Sequence, residues 1–217
     1  MKTSFLIKAA AVIVCLACAS FASAQTGLTL TLNDGAGHST NLTDIATPGQ
    51  ILFSGGLAGS IWTANIDIGL SYPILGTLSA PQFELNIQQA NSTAAGTLTI
   101  TLTESGWVPL ANNIEQATLA VGGAGDNGNV TASALLNGSP VLTTGALAAN
   151  PWSTNVVGNV SGFGSTFSIG EKVVVVHNAA GSGKQGDFNL SVVPEPSAFV
   201  LVGLGSLGLL AIRRRCS

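Results

Sequence analysis

Fixed positive charge is almost absent from the central part of this 217-residue chain. Residues 25–193 contain two lysines, no arginine and nine acidic residues, so this part carries a net charge of −7, whereas the whole chain sums to −3. Proteins that bind nucleic acid or anionic lipid through their charge carry clusters of Lys and Arg. We therefore expect no nucleic-acid partner.

Cysteine is also missing from the central part. The three cysteines are Cys15, Cys18 and Cys216, all close to the chain ends. No disulfide bond can therefore form within the region between them, and its stability must come from a hydrophobic core. Its 169 residues are enough, because a domain of that size buries roughly two thirds of its unfolded surface.

Recognisable catalytic motifs are lacking as well. Residues 25–193 hold two histidines, His38 and His177, and neither belongs to an H-E-x-x-H metal motif. We find no G-x-S-x-G nucleophile elbow and no phosphate-binding glycine loop. Both histidines are expected to be solvated residues at strand ends. We expect no catalytic residue, no metal site and no cofactor.

Two chemistries stay open. Glycoside hydrolysis needs a pair of carboxylates, and Glu84, on the polar side of a predicted strand, could face a partner across the sheet. Sugar binding needs exposed aromatic rings. Trp107 and Trp152 stand next to turns and are the candidate glycan contacts, whereas Trp62 falls in register with apolar neighbours and is expected inside.

Strand-like alternation dominates residues 25–192. Apolar residues alternate with polar ones in five segments, and Gly- and Asn-rich turns separate them; the segments are 28–32, 62–70, 82–88, 97–103 and 187–192. Val173–Val176 is continuously apolar and is expected to be covered on both faces. A helical turn is expected at Asn112–Ala120, and a turn at Glu104-Ser105-Gly106. The pattern predicts one all-β domain, an antiparallel β-sandwich resembling a jelly roll.

The N-terminus predicts a cleavable signal peptide over residues 1–24. Lys2 and Lys8 precede a short apolar run, and small residues follow it up to Ala22-Ser23-Ala24. The run is shorter than the roughly 20 residues of a membrane span, and Ala22 and Ala24 form the A-x-A step that signal peptidase recognises. The alternative is a buried N-terminal helix.

The C-terminus predicts a transmembrane helix over residues 197–212. This stretch is uncharged, and Arg213, Arg214 and Arg215 follow it at once. A helix of that length is about 24 Å long, and snorkelling arginines can absorb the small mismatch with the bilayer. The arginines resist translocation, so we expect them in the cytoplasm and the preceding domain outside. The alternative is a buried core helix.

Pro194, Glu195 and Pro196 stand directly before this helix. Both prolines withhold a backbone N–H and keep the preceding residue extended, so the motif stays open to an enzyme. Pro-Glu-Pro, a short apolar helix and a terminal arginine cluster resemble the PEP-CTERM sorting signal of exported bacterial proteins. The resemblance covers residues 193–217. It implies that exosortase, a membrane protease and proposed transpeptidase, recognises the tail, and that the host is a Gram-negative bacterium, many of which make exopolysaccharide or biofilm.

These observations predict an exported, non-catalytic envelope or extracellular-matrix protein, structural or adhesive within a polysaccharide matrix. The C-terminal helix anchors it in the membrane before processing, and the product belongs at the cell surface or in the matrix. The expected partners are signal peptidase, an exosortase-like enzyme and exopolysaccharide. The alternatives are a carbohydrate-binding module and, less favoured, a polysaccharide-active enzyme.

Overall fold

The computed structural model describes residues 26–44, 47–77, 80–108, 114–180 and 183–194. Six of its strands build the first sheet; they are β1 Thr26–Asn33, β2 Ser39–Thr43, β7 Gly96–Trp107, β9 Gly128–Leu136, β10 Ser139–Thr143 and β12 Phe167–His177. Their spatial order is β10-β9-β12-β7-β1-β2, with every neighbouring pair antiparallel.

The second sheet has seven strands. They are β3 Gln50–Gly56, β4 Trp62–Leu70, β5 Gly76–Thr77, β6 Ala80–Ser92, β8 Ile114–Gly125, β11 Trp152–Ser161 and β13 Gly183–Pro194. The order is β11-β8-β13-β6-β4-β3, again antiparallel, and the two-residue β5 pairs with β6.

Alternation along each strand explains why the sheets form and how they pack. In β1, Leu28, Leu30 and Leu32 are fully buried, while Thr29 and Thr31 between them are half-buried on the opposite side. The segments 82–88, 97–103 and 187–192 behave alike. In 62–70 the alternation holds as far as Ile66, and a register shift then buries Gly69, whereas Ile68 and Leu70, expected inside, are only half-buried. All five predicted segments are strands. The inward residues of both sheets join in one hydrophobic core, and the fold is the expected β-sandwich.

Two local predictions are wrong. Residues 114–120, expected in a helical turn, belong to the long strand β8, where pairing with β11 and β13 overrides the local pattern. Glu104-Ser105-Gly106 is not a turn between strands. Ser105 and Trp107 both pair with β12, and Gly106, with φ of 94°, forms a bulge between them inside β7.

The valine run is covered mainly on one side. Val173 and Val175 of β12 are buried in the core, whereas Val174 and Val176 are half-buried on the outer face. Among the residues described, no helix is long and apolar enough to span a membrane. The predicted signal peptide 1–24 and the predicted helix 197–212, with the arginine triplet after it, lie outside the described residues.

Candidate functional site

The outer faces of the two sheets carry different chemistry. On the first sheet, the central strands present a threonine face, made of Thr29, Thr31, Thr99, Thr101, Thr103 and Thr131. These side chains are half-buried, and across the β1–β7 pair Thr29 lies opposite Thr103 and Thr31 opposite Thr101. Cross-strand threonine pairs of this kind stabilise a sheet.

The second sheet instead presents an amide-lined face. Its strands β4, β6 and β13 point amide side chains outward; they are Asn65, Asn86, Gln88, Gln89, Gln185 and Asn189. Neighbouring strands are about 4.8 Å apart and residues i and i+2 about 6.8 Å apart, so the amides form a regular array of donors and acceptors. An exposed amide can offer both a donor and an acceptor to hydroxyl groups.

Three shallow depressions lie on this face among the described residues. One of about 290 Å³ is bordered by Gln88, Gln89 and Gln185, and another of about 190 Å³ shares Gln88 and Gln185 with it. A third, of about 210 Å³, lies nearer the start of β6 and includes Asn189. The small side chains of β8, such as Ala120 and Ala124, border these hollows and leave room above the strand.

Carboxylates are interspersed with the amides. Asn86 donates a hydrogen bond to Asp187, and Gln88 Nε2 donates one to Asp67 Oδ2 over 3.3 Å. Glu84, the residue singled out from the sequence, lies opposite Asn189 on β13, and Asp187 lies opposite Asn86. Glu84 and Asp187 are therefore diagonal neighbours, about 7–8 Å apart at their backbones.

The two candidate glycan-stacking residues are not on the surface. Trp107 is 0% exposed and Trp152 4% exposed, so the expectation that they are accessible is wrong. Both stand at the ends of strands, where a neighbouring turn suggests exposure, but their rings point between the sheets. Trp107 packs against Phe83 and Tyr72. Trp62 is buried, as predicted.

Trp152 lies beneath the amide-lined face. A Cβ placed on Gly123 of β8 or on Gly186 of β13 would collide with its indole ring, at 2.3 and 2.6 Å. Two strands thus lack side chains where the ring needs space. All nine aromatic residues of the described chain belong to the core or pack against it, so the amide-lined face offers hydrogen bonds without a stacking platform.

One end of the sandwich, the tail end, buries carboxyl groups. This is the end with Pro194, where the chain leaves β13. Glu104 accepts a hydrogen bond from Ser71 Oγ at 2.7 Å, and Glu115 is also buried. Glu171 finds no hydrogen-bond donor for either oxygen among the described residues. Burial raises its pKa well above the ordinary value, and the charge of Glu84 raises it further.

The opposite end, the distal end, buries basic groups. His177 is 1% exposed, packs on Trp62 and shares a 2.8 Å hydrogen bond with Ser92 Oγ, so the expectation that it is solvated is wrong. Burial lowers its pKa, and the neighbouring Lys184 lowers it further. Lys184 Nζ donates to the carbonyl of Gly125 at 2.6 Å, and burial lowers the pKa of this ammonium too.

His38 forms a structural link. Its Nδ1 lies 2.6 Å from Asp34 Oδ2, and Ser60 Oγ donates to the same carboxylate oxygen at 2.6 Å. These bonds hold the pKa of Asp34 well below its usual range, with Ser60 the largest cause. Ser60 and His38 both bind Asp34 rather than each other, so the histidine is not placed to activate the hydroxyl. The described residues include no cluster of three or more His, Cys, Asp or Glu that could hold a metal.

The sorting motif overlaps the folded domain. The family model for the PEP-CTERM protein-sorting motif matches residues 192–215, which confirms the resemblance seen in the sequence. Such a signal indicates an exported protein that exosortase processes at the membrane. Residues 192–194 belong also to β13, where Val193 pairs with Gln116 and Pro194 with Glu115 of β8. The motif therefore starts inside a hydrogen-bonded strand, without a linker.

Other comparisons add little. No curated protein sequence matches the chain. Among solved structures, a family 35 carbohydrate binding module from Clostridium thermocellum is 10% identical, with 65% of this chain and 96% of that chain covered and a TM-score of 0.27. That score is too low to support an argument about fold or function.

Proposed function

We propose that the chain is an exported, non-catalytic protein of a polysaccharide matrix, and that its amide-lined face is the surface that holds the polysaccharide. The observation that carries the proposal is the set of six Asn and Gln side chains on the outer face of adjacent strands, of which all but the half-buried Asn86 are exposed. Asn is unfavourable in strands, where threonine and other β-branched residues are preferred. The threonine face shows that this chain uses those residues elsewhere, so sheet stability does not account for the amides.

The charge of this face selects the kind of polysaccharide. Asp67, Glu84 and Asp187 lie among the amides, and Lys172 is in the first sheet. Lys184 borders the 290 Å³ depression, but it is 2% exposed and its ammonium donates to the carbonyl of Gly125. Carboxylates repel an anionic chain at short range. We therefore expect neutral polysaccharide to bind and uronate- or sulfate-bearing polysaccharide to bind more weakly.

Binding through hydrogen bonds alone is weak for each sugar, because every group exchanges a bond to water for a bond to the glycan. A repeating polymer compensates by engaging many copies at once. Weak, repeated contact suits an adhesive component of a matrix better than an enzyme that must hold one bond in place.

The decisive test compares the two outer faces. The triple variant Gln88→Ala, Gln185→Ala, Asn189→Ala removes three exposed amides and should weaken affinity for the host's own neutral exopolysaccharide at least tenfold in affinity electrophoresis. The matched control is Thr99→Ala, Thr101→Ala, Thr131→Ala on the threonine face, which should bind as wild type. Equal binding by wild type and the amide variant would refute the assignment of this face.

The ends of the chain complete the proposal. Signal peptidase cleaves after Ala24, the helix 197–212 anchors the protein with Arg213–Arg215 in the cytoplasm, and residues 25–192 face outward until processing releases them to the cell surface or matrix of a Gram-negative host. Only Glu195 and Pro196 separate β13 from that helix. Two residues span at most about 7 Å, so the tail end lies against the membrane. The amide-lined face then runs away from the membrane surface.

One observation favours a second candidate, a polysaccharide-active enzyme. The diagonal placement of Glu84 and Asp187 is compatible with the separation of roughly 6.5–9.5 Å between the carboxyl groups of inverting glycosidases. Incubation with the host exopolysaccharide, followed by a reducing-end assay, decides the matter. Turnover that Glu84→Gln and Asp187→Asn both abolish would establish the enzyme; absence of turnover supports the binding role.

A further inference from the structure

Among the strands that the structure describes, four lie at sheet edges, and three of them are protected against pairing with another chain. In the first sheet, β2 is five residues long, and β10 is equally short, contains Pro140 and has a register shift. In the second sheet, β3 has a register shift between Ile51 and Phe53. Short length, proline and bulges are the devices by which sheets prevent edge-to-edge association.

The fourth edge, β11, has none of these devices. Its ten residues pair with β8 in unbroken register, and it contains neither proline nor any charged residue. Its inward residues Thr154, Val156 and Gly158 are only half-buried, as expected where a strand has a neighbour on one side alone. Among the residues that the structure describes, no strand pairs with its other side.

The outward side chains of β11 read the same in both directions. They are Ser153, Asn155, Val157, Asn159 and Ser161, and all five are exposed, Val157 by 52%. When an antiparallel strand pairs with its own copy about a two-fold axis at Val157, serine meets serine, asparagine meets asparagine, and the two valines meet on the axis. Opposed residues then share one face, as antiparallel pairing requires.

We propose that β11 is a homodimerisation strand, which pairs antiparallel with β11 of a second copy and joins the two second sheets into one continuous sheet. A closed two-fold interface uses the same strand on both sides. The new outer edges of the joined sheet are the two protected β3 strands, so growth stops at two copies. The joined sheet also doubles the amide-lined face, although the pairing itself does not depend on polysaccharide binding.

The symmetry has a consequence for sorting. In antiparallel pairing the tail end of one copy lies beside the distal end of the other, so the two C-termini leave at opposite ends of the dimer. The twelve residues of β13 span about 40 Å, which sets the scale of their separation. Two copies that are both anchored in one membrane by their C-termini cannot form this dimer, because its two C-termini lie at opposite ends. The dimer therefore forms between opposed surfaces or after processing.

Charged substitutions on β11 test whether this strand forms the dimer interface and whether its residues pair in the proposed register. In the dimer residue 155 faces residue 159 of the other copy, so Asn155→Lys, Asn159→Lys opposes like charges twice, whereas Asn155→Lys, Asn159→Glu forms two ion pairs. Sedimentation velocity of the protein recovered from its producing cells, without polysaccharide, should show dimers for wild type and for the Lys–Glu variant. The Lys–Lys variant should associate at least tenfold more weakly.

The control is Leu52→Lys, a charge at the 60% exposed apolar residue of the protected edge β3, which should leave the dimer intact. Thermal unfolding of each variant checks that its fold is retained, since all three positions are exposed. Wild type that remains monomeric, or a Lys–Lys variant that dimerises like wild type, would overturn the proposal. Neither result affects the polysaccharide-binding assay, which a monomer can also pass. The dimerisation proposal and the polysaccharide-binding proposal can therefore be refuted independently.

Discussion

The two outer faces of this sandwich are built mainly from different polar residues, threonine on one and asparagine and glutamine on the other. The threonine face and the amide-lined face belong to sheets of similar size, and the threonine face also includes the half-buried Val174 and Val176 of β12. Threonine suits a strand because its branched Cβ packs on the pleated surface, whereas asparagine competes for backbone hydrogen bonds and disfavours the strand. One face therefore serves the fold, and the other keeps residues that the fold alone does not favour.

The interior follows the same division. Trp152 fills the space under the amide-lined face that Gly123 and Gly186 leave free, so this face rests on a tightly packed ring. Beneath the threonine face, β12 instead carries the buried carboxyl of Glu171, which has no hydrogen-bond partner among the described residues. The amide-lined face is therefore supported by apolar packing, and the sheet of the threonine face tolerates a buried ionisable group.

The largest expected effect comes from the core tryptophans. Trp107→Ala should lower the free energy of unfolding by about 3–5 kcal/mol, because it empties a fully buried site. Trp107→Phe should cost much less, since the indole N–H has no acceptor among the described residues. Urea unfolding measures both variants.

Polysaccharide affinity of the folded Trp107→Phe protein sharpens the comparison of the two faces. If the core tryptophan only supports the fold, affinity equals that of wild type. A stable Trp107→Phe variant that no longer binds polysaccharide would show that Trp107 takes part in recognition, and it would contradict the proposal that the amides bind the sugar.

The next effect concerns Glu171 beneath the threonine face. Its pKa is raised in the folded state, so the unfolded chain loses the proton first as pH rises above about 4.5, and stability falls until the folded pKa is reached. The slope for one group is about 1.4 kcal/mol per pH unit. Glu171→Gln, which cannot titrate, should unfold like wild type below pH 4.5 and be more stable at neutral pH. Equal stability of the two proteins at neutral pH would contradict this account of the buried carboxyl.

The smallest effect is the exchange of residues between the faces. Asn65→Thr and Asn189→Thr should each raise stability by up to about 1 kcal/mol, and Thr99→Asn and Thr101→Asn should each lower it by a similar amount. Thermal unfolding of the four single variants measures this. If all four changes were neutral, residue preference in the sheet would not distinguish the faces.

Much of this fold follows from local pattern. The alternation in segments such as 28–32 and 97–103 is strong enough to give both the strands and their buried sides, and the lack of cysteine in residues 25–193 excludes a disulfide there. Two amides of the amide-lined face, Asn86 and Gln88, are visible in the sequence too, as polar residues that alternate with Phe83, Leu85 and Ile87. The sequence does not show that the amides form one surface, because this depends on which strands become neighbours.

Residues at strand ends were the hardest to predict. Trp107, Trp152 and His177 all stand at strand ends, yet contacts from distant segments bury them: His177 bonds Ser92, 85 positions away. Likewise, Ser71 reaches Glu104 across 33 positions, and no local pattern indicates that pairing. The palindrome of β11 can be read from the sequence, but only the strand order shows that it lies on an open edge.

The central claim is that a sandwich joined directly to a sorting signal is cut at the boundary between them and kept outside the cell. Intact mass spectrometry of the protein extracted from the cell envelope tests it most directly. The account predicts a mature chain that begins at Gln25 and ends between Pro194 and Pro196. A mature species that still carries Arg213 to Ser217 would contradict it.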